Sequence, residues 1–218
     1  MIVARIISLV IGYAFGLFQT GYFYGKSQGI DIRKEGSGNA GATNSLRVLG
    51  IKAGAITFFG DLMKAILSVV IVYFLFRNSY PESVKVLELY AGFGSVIGHN
   101  FPFYLGFKGG KGIACTSGMI LAVCPMAAPV CLILFIGAVA ITRYVSLGSI
   151  LVVSAYLIQV IIFGQMGWLG LENAYLPEFY VVSAFFTIMA LWRHRANVVR
   201  LLNGTENKIA VKTNLRGF

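Results

Sequence analysis

Long apolar runs constrain this chain more than any other feature. Residues 2–24, 53–76, 84–104, 147–165 and 177–192 each approach the ~20 residues that carry a helix across a bilayer. A further run, 113–141, holds 29 residues. With 57% hydrophobic residues, 12% charged residues and a mean hydropathy of +0.78, a soluble globule is excluded. An all-α polytopic membrane protein remains, one integral membrane domain over residues 1–218. The first run carries one early cation, Arg5, and no small-residue cleavage site, so a retained span is expected rather than a removed leader. Gly12 with Gly16, and Gly21 with Gly25, have the four-residue spacing of close helix packing.

Charge separates the two sides. The loops at 25–52 and 105–112, the turn at Arg143 and the tail after Trp192 (Arg193, Arg195, Arg200, Lys208, Lys212, Arg216) are basic. Residues 77–88 mix Arg77 and Lys85 with Glu82 and Glu88, and 166–178 hold Glu172 and Glu178 without a cation. The positive-inside rule then puts the basic segments in the cytoplasm, with the N-terminus outside and the C-terminus cytoplasmic. Two full spans need about 40 residues, more than 113–141 supplies. Lys111 and Arg143 nevertheless share a side only if the chain enters and returns. The expectation is two short helices meeting near Cys124-Pro125, with Pro129 just beyond, as a broken hairpin buried among the others. Seven transmembrane helical segments result. A single kinked helix is the alternative, and it would put Arg143 on the wrong side.

Four polar segments share the cytoplasmic face in this topology. The densest is 98–112, with His99, Asn100, Lys108, Gly109, Gly110, Lys111 and Gly112. Its glycines allow several N–H groups to approach one ligand. The helix opening near Gly112 adds the positive end of its dipole, and the lysines add full charges. This reads as a seat for phosphate. A nucleotide P-loop is rejected, because G-x-x-x-x-G-K-[ST] needs Gly where Leu105 stands and Ser or Thr where Gly112 stands. An interfacial turn whose lysines meet lipid headgroups stays open.

In residues 36–47, a short helix starting near Asn39 would put Thr43 four residues, and Asn44 three, from Arg47 on one face. Ser37 and Asn39 would sit beside its free N–H groups, and Arg47 has the fork to grip a phosphate. A capped interfacial helix with a snorkelling arginine is the alternative. In 142–149, Ser146 reads first as a helix cap, while Arg143 is held in a turn too short to leave the site. In 192–208, Arg193, Asn197 and Arg200 align at i, i+4 and i+7, and Gly204 is placed to end the helix. Anionic lipid is the competing partner for that basic helix.

The stretches GSGNAGATNSLRVLG, GHNFPFYLGFKGGKGIA and WRHRANVVRLLNGTENK resemble, in the same order, the three motifs of the bacterial acyl-phosphate:glycerol-3-phosphate acyltransferase family of the PlsY type. The resemblance covers essentially the whole chain. It implies transfer of a fatty acyl group from acyl phosphate to position 1 of sn-glycerol 3-phosphate, giving lysophosphatidic acid and phosphate. It also implies a place in phospholipid synthesis, at the cytoplasmic side of a bacterial inner membrane. Ser37, Asn39, Thr43, Asn44 and Arg47 match the first motif, whose serine and arginine the family treats as essential. Gly109, Gly110 and Gly112 with Lys111 match the second, implicated in glycerol 3-phosphate binding; His194, Asn197 and Glu206 match the third. Cys115 stands where threonine or alanine is commoner. The soluble acyltransferase signature H-x-x-x-x-D is absent, since Tyr104 follows His99 at that offset and Val199 follows His194.

The residue chemistry agrees. A net charge of +10, gathered at one face, suits two anionic substrates. The expected catalytic set is Ser37, Arg47, Lys111, His194 and Asn197. The expected substrate-binding set is Asn39, Thr43, Asn44, His99, Asn100, Lys108, Gly109, Gly110, Gly112, Arg143 and Ser146. Acyl phosphate is already activated, so direct attack without a covalent acyl-enzyme is expected, the acyl tail entering sideways from lipid. The proton acceptor is His194 or a substrate phosphate. No cofactor, metal or nucleic acid is expected; the partners are the two substrates and membrane lipid.

Cys115, near a cationic helix start, admits an acyl-cysteine, but with Cys124 and Cys131 it reads better as a small core residue. Asp61 and Lys64, three apart in an apolar helix, are functional or mutually paired, and stand outside the catalytic set. An anion transporter or channel is the rival class, since broken helices with amino ends near a basic site also bind anions. The lack of an inverted repeat and the gathering of polar motifs on one side weigh against it. A lipid-headgroup binding scaffold is a third possibility.

Overall fold

The computed structural model describes residues 1–209; Lys212 and Arg216 of the basic tail lie outside the described residues. Among the described residues there are helices and no strand. Five helical stretches are long and apolar enough to cross a membrane: Ile2–Ser27, Ile51–Phe76, Pro125–Thr142, Val145–Gln165 and Asn173–Arg193. The chain is an integral membrane protein built on them.

The first run is not one helix. α1 (Ile2–Leu17) stops at Phe18, whose backbone is extended, and Gln19, which is also non-helical, and α2 (Thr20–Ser27) resumes. The break is held from other helices. Lys64 Nζ donates to Phe18 O at 2.5 Å and Gly16 O at 3.2 Å, and Gln19 Nε2 donates to Gly16 O at 3.2 Å and His99 O at 3.1 Å. Carbonyls freed inside an apolar layer need such donors, because lipid offers none.

The polar loop that follows contains α3 (Ala42–Leu49), which starts three residues later than expected, after Asn39 Oδ1 has accepted the Gly41 N–H at 2.9 Å. α4 (Ile51–Phe76) packs on α1, on α3 and on α5 (Val84–Asn100). α5 packs most closely along α1. A Cβ added at Gly12 would stand 2.0 Å from Ala91 O, so the two backbones meet where no side chain fits. The helix expected to reach Tyr104 ends at Asn100, because Pro102 drives Phe101 out of the helical region (φ −133, ψ 58).

α6 (Ile113–Val123) is the short, buried half of the expected hairpin, seated against α4 and α5. Cys124 leaves the helical region before Pro125, a 3-10 turn covers Pro125–Ala127, and α7 (Ala128–Thr142) begins with Pro129 in its first turn, where its missing N–H costs nothing. The break lies where the prolines predict it. The expected burial does not extend to α7: only Cys131 and Ala138 are buried there, while Val130, Leu132, Ile133, Ile136 and Ile141 are exposed. α7 packs on α8 (Val145–Gln165), and α8 on α9 (Leu176–Arg193). His194 then turns the chain into α10 (Arg195–Leu202), so Arg193 closes one helix and Asn197 belongs to the next.

The core is shared by all the central helices: Val69 and Val72 of α4, Leu87 and Leu89 of α5, Met119 of α6, Tyr156 of α8, and Phe179 and Phe186 of α9 are 0–2% exposed. The amino ends of α3, α6 and α8 and the α9–α10 joint surround one cavity.

Candidate active site

That cavity has a volume of about 450 Å³. Its first wall is residues 37–47. Asn44, 1% exposed, accepts the Ser37 N–H on Oδ1 at 2.8 Å and donates through Nδ2 to Ile32 O and Glu35 O, both at 3.0 Å. With both ends of its amide engaged, Asn44 shapes the loop. Ser37, Asn39, Thr43 and Arg47 line the cavity beside it. Arg33 is tied back to Asp31 at 2.7 Å, leaving Arg47 as the cation of this wall.

The glycine hairpin forms the second wall. Gly109 and Gly110 donate their N–H groups to Asn100 O at 3.2 Å and His99 O at 3.1 Å, so those donors are committed to the hairpin and not open to a ligand. Their carbonyls accept from Arg193 Nη2 at 3.2 and 2.6 Å. Gly112 takes a left-handed φ of +79 to cap α6, and Gly112, Ile113 and Ala114 line the cavity, bringing in the first N–H groups of that helix. Lys111 reaches Asn197 Oδ1, Asn197 Nδ2 donates to Glu206 Oε1 at 3.0 Å, and Arg200 Nε donates to Glu206 Oε2 at 2.8 Å. Burial, together with Arg200, Arg193 and Arg47, pushes the Lys111 ammonium down to about 8, with Glu206 pulling the other way.

His194 is 2% exposed and lines the cavity. Its Nδ1 is 2.8 Å from Ala190 O. A carbonyl can only accept, so the proton is on Nδ1 and Nε2 is the acceptor. Burial pushes the ring down to about 4, the Ala190 contact opposing and Lys111 and Arg193 adding to it, so the imidazole is neutral at pH 7.

A buried polar layer lies beneath. Lys64 Nζ is 2.8 Å from Asp61 Oδ1 and 2.9 Å from His99 Nδ1, and Thr20 Oγ1 donates to Asp61 Oδ1 at 3.0 Å. Because an ammonium only donates, His99 Nδ1 accepts and its proton is on Nε2. His99 therefore has no lone pair left to act as a base. Asp61, His99 and Cys115 bring ligating atoms within 4.8 Å of one another, the one such cluster among the described residues. The Lys64 ammonium already supplies the positive charge there, so the cluster does not fit a metal.

The family model described as glycerol-3-phosphate acyltransferase matches residues 6–204. The chain belongs to the glycerol-3-phosphate acyltransferase family. Among the family's curated members, the glycerol-3-phosphate acyltransferase of Clostridioides difficile (strain 630) is 44% identical over 216 residues, covering 97% of this chain and 98% of that protein. The one from Halalkalibacterium halodurans is 41% identical over 206 residues, covering 94% and 95%. Two crystal structures of PlsY (YgiH), an integral membrane glycerol 3-phosphate acyltransferase, share the fold. Its glycerol 3-phosphate form has a TM-score of 0.79 at 32% identity over 94% of this chain and 96% of that one, and its lysophosphatidic acid form a TM-score of 0.76.

Within this acyltransferase fold, Ser37, Asn39, Thr43, Asn44, Arg47, His99, Lys111, Gly112, Ser146, His194 and Asn197 line one cavity. Five expected residues do not. Lys108 is exposed at the hairpin tip, and Gly109 and Gly110 are bonded within the hairpin. Asn100 is fully buried, with no partner for its amide among the described residues. Arg143 adopts a left-handed conformation at the C-cap of α7 and is exposed rather than on the cavity wall. Ser146 also departs from expectation. It makes no capping bond, because α8 begins at Val145 with Tyr144 as its N-cap, so Ser146 lies inside the first turn, and its buried Oγ has no partner among the described residues. Residues outside the expected sets also line the cavity: Arg193 and Arg200 from the basic face, Glu206 and Asp61, and the apolar Phe58, Ile113, Phe135 and Val145. Nothing local in the sequence marks Phe58 or Phe135, which arrive by packing between distant helices.

Proposed function

We propose that the chain transfers a fatty acyl group from acyl phosphate to the 1-hydroxyl of sn-glycerol 3-phosphate, giving lysophosphatidic acid and inorganic phosphate. The observation that carries this reading is the double character of one cavity. Arg47, Lys111, Arg193 and Arg200 line it together with Phe58, Ile113, Phe135 and Val145. Two phosphates call for the cations, and a fatty chain calls for the apolar residues. The two PlsY forms, one with glycerol 3-phosphate and one with lysophosphatidic acid, support substrate and product of this kind.

The hydroxyl oxygen attacks the acyl carbonyl carbon. The new ester bond forms as the carbon–oxygen bond to phosphate breaks, and phosphate leaves with that electron pair. Lys111, Arg47 and the first N–H groups of α6 hold the phosphates, while Ser37 and Asn39 orient the hydroxyl and carbonyl. Neutral His194 accepts a hydrogen bond from the attacking hydroxyl on Nε2. A ring that protonates only near 4 is a poor base at neutral pH, so the proton ends on the departing phosphate. Cys115 is fully buried and does not line the cavity, which supports direct attack over an acyl-cysteine.

In this reading α5 and α6 complete a seven-segment bundle in a bacterial inner membrane. The N-terminus is outside and the cavity opens to the cytoplasm, as the basic composition of the polar end supports. The deciding experiment uses purified protein in detergent and follows phosphate. Release from acyl phosphate only when glycerol 3-phosphate is present is expected. Phosphate uptake into liposomes without turnover would make the protein a transporter and sink the proposal.

A further inference from the structure

Lys64 does not line the cavity, yet it is 5% exposed and more fully engaged than any cation that does. Four acceptors lie within 3.2 Å of its Nζ: Phe18 O, Gly16 O, Asp61 Oδ1 and His99 Nδ1. An ammonium has three N–H bonds, so its position is over-determined. Two of the acceptors belong to the α1–α2 break, one to α4 and one to α5.

His99 carries this arrangement upward. Its Nε2 faces the hairpin so closely that a Cβ at Gly110 would stand 2.0 Å from it. Gly110 is pinned by its N–H to His99 O at 3.1 Å and by its carbonyl to Arg193 at 2.6 Å. The next residue is Lys111. A short path therefore runs from the helix break, through Lys64 and His99, to the cation that faces the cavity.

We propose that the Asp61–Lys64 pair is the positioning element of the phosphate site, fixing His99 and through it the height of the hairpin that presents Lys111. This rests on the cavity being the glycerol 3-phosphate site. Lys64 acts without touching substrate. Asp61, 2.8 Å from the Lys64 ammonium, holds it in place in a layer where an unpaired charge is costly.

The test is glycerol 3-phosphate affinity, measured by calorimetry on the purified full chain and on Lys64→Met, Lys111→Ala, the combination of those two, and the neutral pair Asp61→Asn with Lys64→Met. Lys64→Met is expected to weaken binding by about 10-fold, and in the Lys111→Ala background to weaken it by less than about twofold, because both changes act through one cation. The neutral pair leaves no unpaired charge, so it stays folded if Lys64→Met does not, and it is expected to weaken binding by a similar factor because His99 has lost its partner. A role confined to packing predicts parental affinity in the neutral pair, and independent effects in the combined variant; either result overturns the proposal. Should the parent chain fail to bind glycerol 3-phosphate, the substrate reading above falls, and the same comparison made with inorganic phosphate still decides the positioning role.

Discussion

The side chain of Asn44 and the backbone of Ser37 are joined by a 2.8 Å hydrogen bond, with Asn44 also donating to Ile32 O and Glu35 O. One amide therefore holds three points of the loop that carries Ser37. Asn44→Ala leaves the Ser37 N–H without a partner and strips Ile32 O and Glu35 O of one donor each, their backbone donors Glu35 N–H and Gly38 N–H remaining, and is expected to lower stability by about 1–3 kcal/mol. Because Ser37 loses its anchor, kcat should fall at least about 10-fold as well. Asn44→Asp keeps the acceptor for Ser37 but loses both donors, so stability should suffer more than kcat. Thermal unfolding in detergent and steady-state turnover, measured on both variants, check the pair.

Lys111 must carry its proton to hold a phosphate, and in the free protein burial and three arginines bring that proton's loss down to about pH 8. The cation is present below that value and lost above it. The kcat/KM for glycerol 3-phosphate is therefore expected to decline as pH rises through about 8. Lys111→Met should abolish that alkaline limb along with most of the activity. A parent profile flat to pH 10 or above, the ordinary range of lysine, would contradict this assignment.

His194 stays neutral from physiological pH down to about 4. It therefore supplies no acid limb near the ordinary histidine value. His194→Ala is expected to lower kcat by about 10–100-fold through lost orientation of the hydroxyl, with the acid side of the pH profile unmoved. An acid limb near 6.5 that disappears in His194→Ala would return the role of general base to this ring.

Gly98 sits where α5 crosses α1. A Cβ there would meet Tyr13 O at 2.3 Å and Gly16 Cα at 3.0 Å, both backbone atoms that cannot rotate away. Gly98→Ala is expected to cost about 1–3 kcal/mol of stability, read as a lowered unfolding temperature. Since His99 is the adjacent residue, glycerol 3-phosphate KM should rise in the same variant.

Cys115 has no exposed surface and no place on the cavity wall. Cys115→Ala should keep turnover within about twofold of the parent, and a trapped thioester should not accumulate. Loss of activity with intact folding would bring back a covalent route.

Features written in local chemistry were legible in the sequence, and those set by distant partners were not. Pro125 and Pro129 mark the end of α6 and the start of α7, because a missing N–H acts on its immediate neighbours. The α1–α2 break has no such marker: it is held by Lys64, 46 residues beyond Phe18. Lys64 and Asp61 were visible as a charged pair in an apolar helix, but their third partner, His99, belongs to α5 and is met only in the folded bundle. Ser146 shows how a shift of one or two residues in a helix start changes a reading. The helix starts one residue before the serine, with Tyr144 as its N-cap, so the residue that reads as a cap lies inside the first turn. The short turn around Arg143 argues for a place in the site, whereas in the fold this residue caps α7 in a left-handed conformation and is exposed.

Phe135 lines the cavity from α7, a 15-residue helix of about 22 Å that packs on α8 and leaves Val130, Leu132, Ile133, Ile136 and Ile141 exposed. On the proposed function, surrounding fatty tails are thus the outer buttress of one wall of the substrate cavity. A thicker or thinner leaflet would lean on that wall and alter the room left for the donor's chain, so the membrane this protein helps to build also sets the fit of the mould in which its own components are cast.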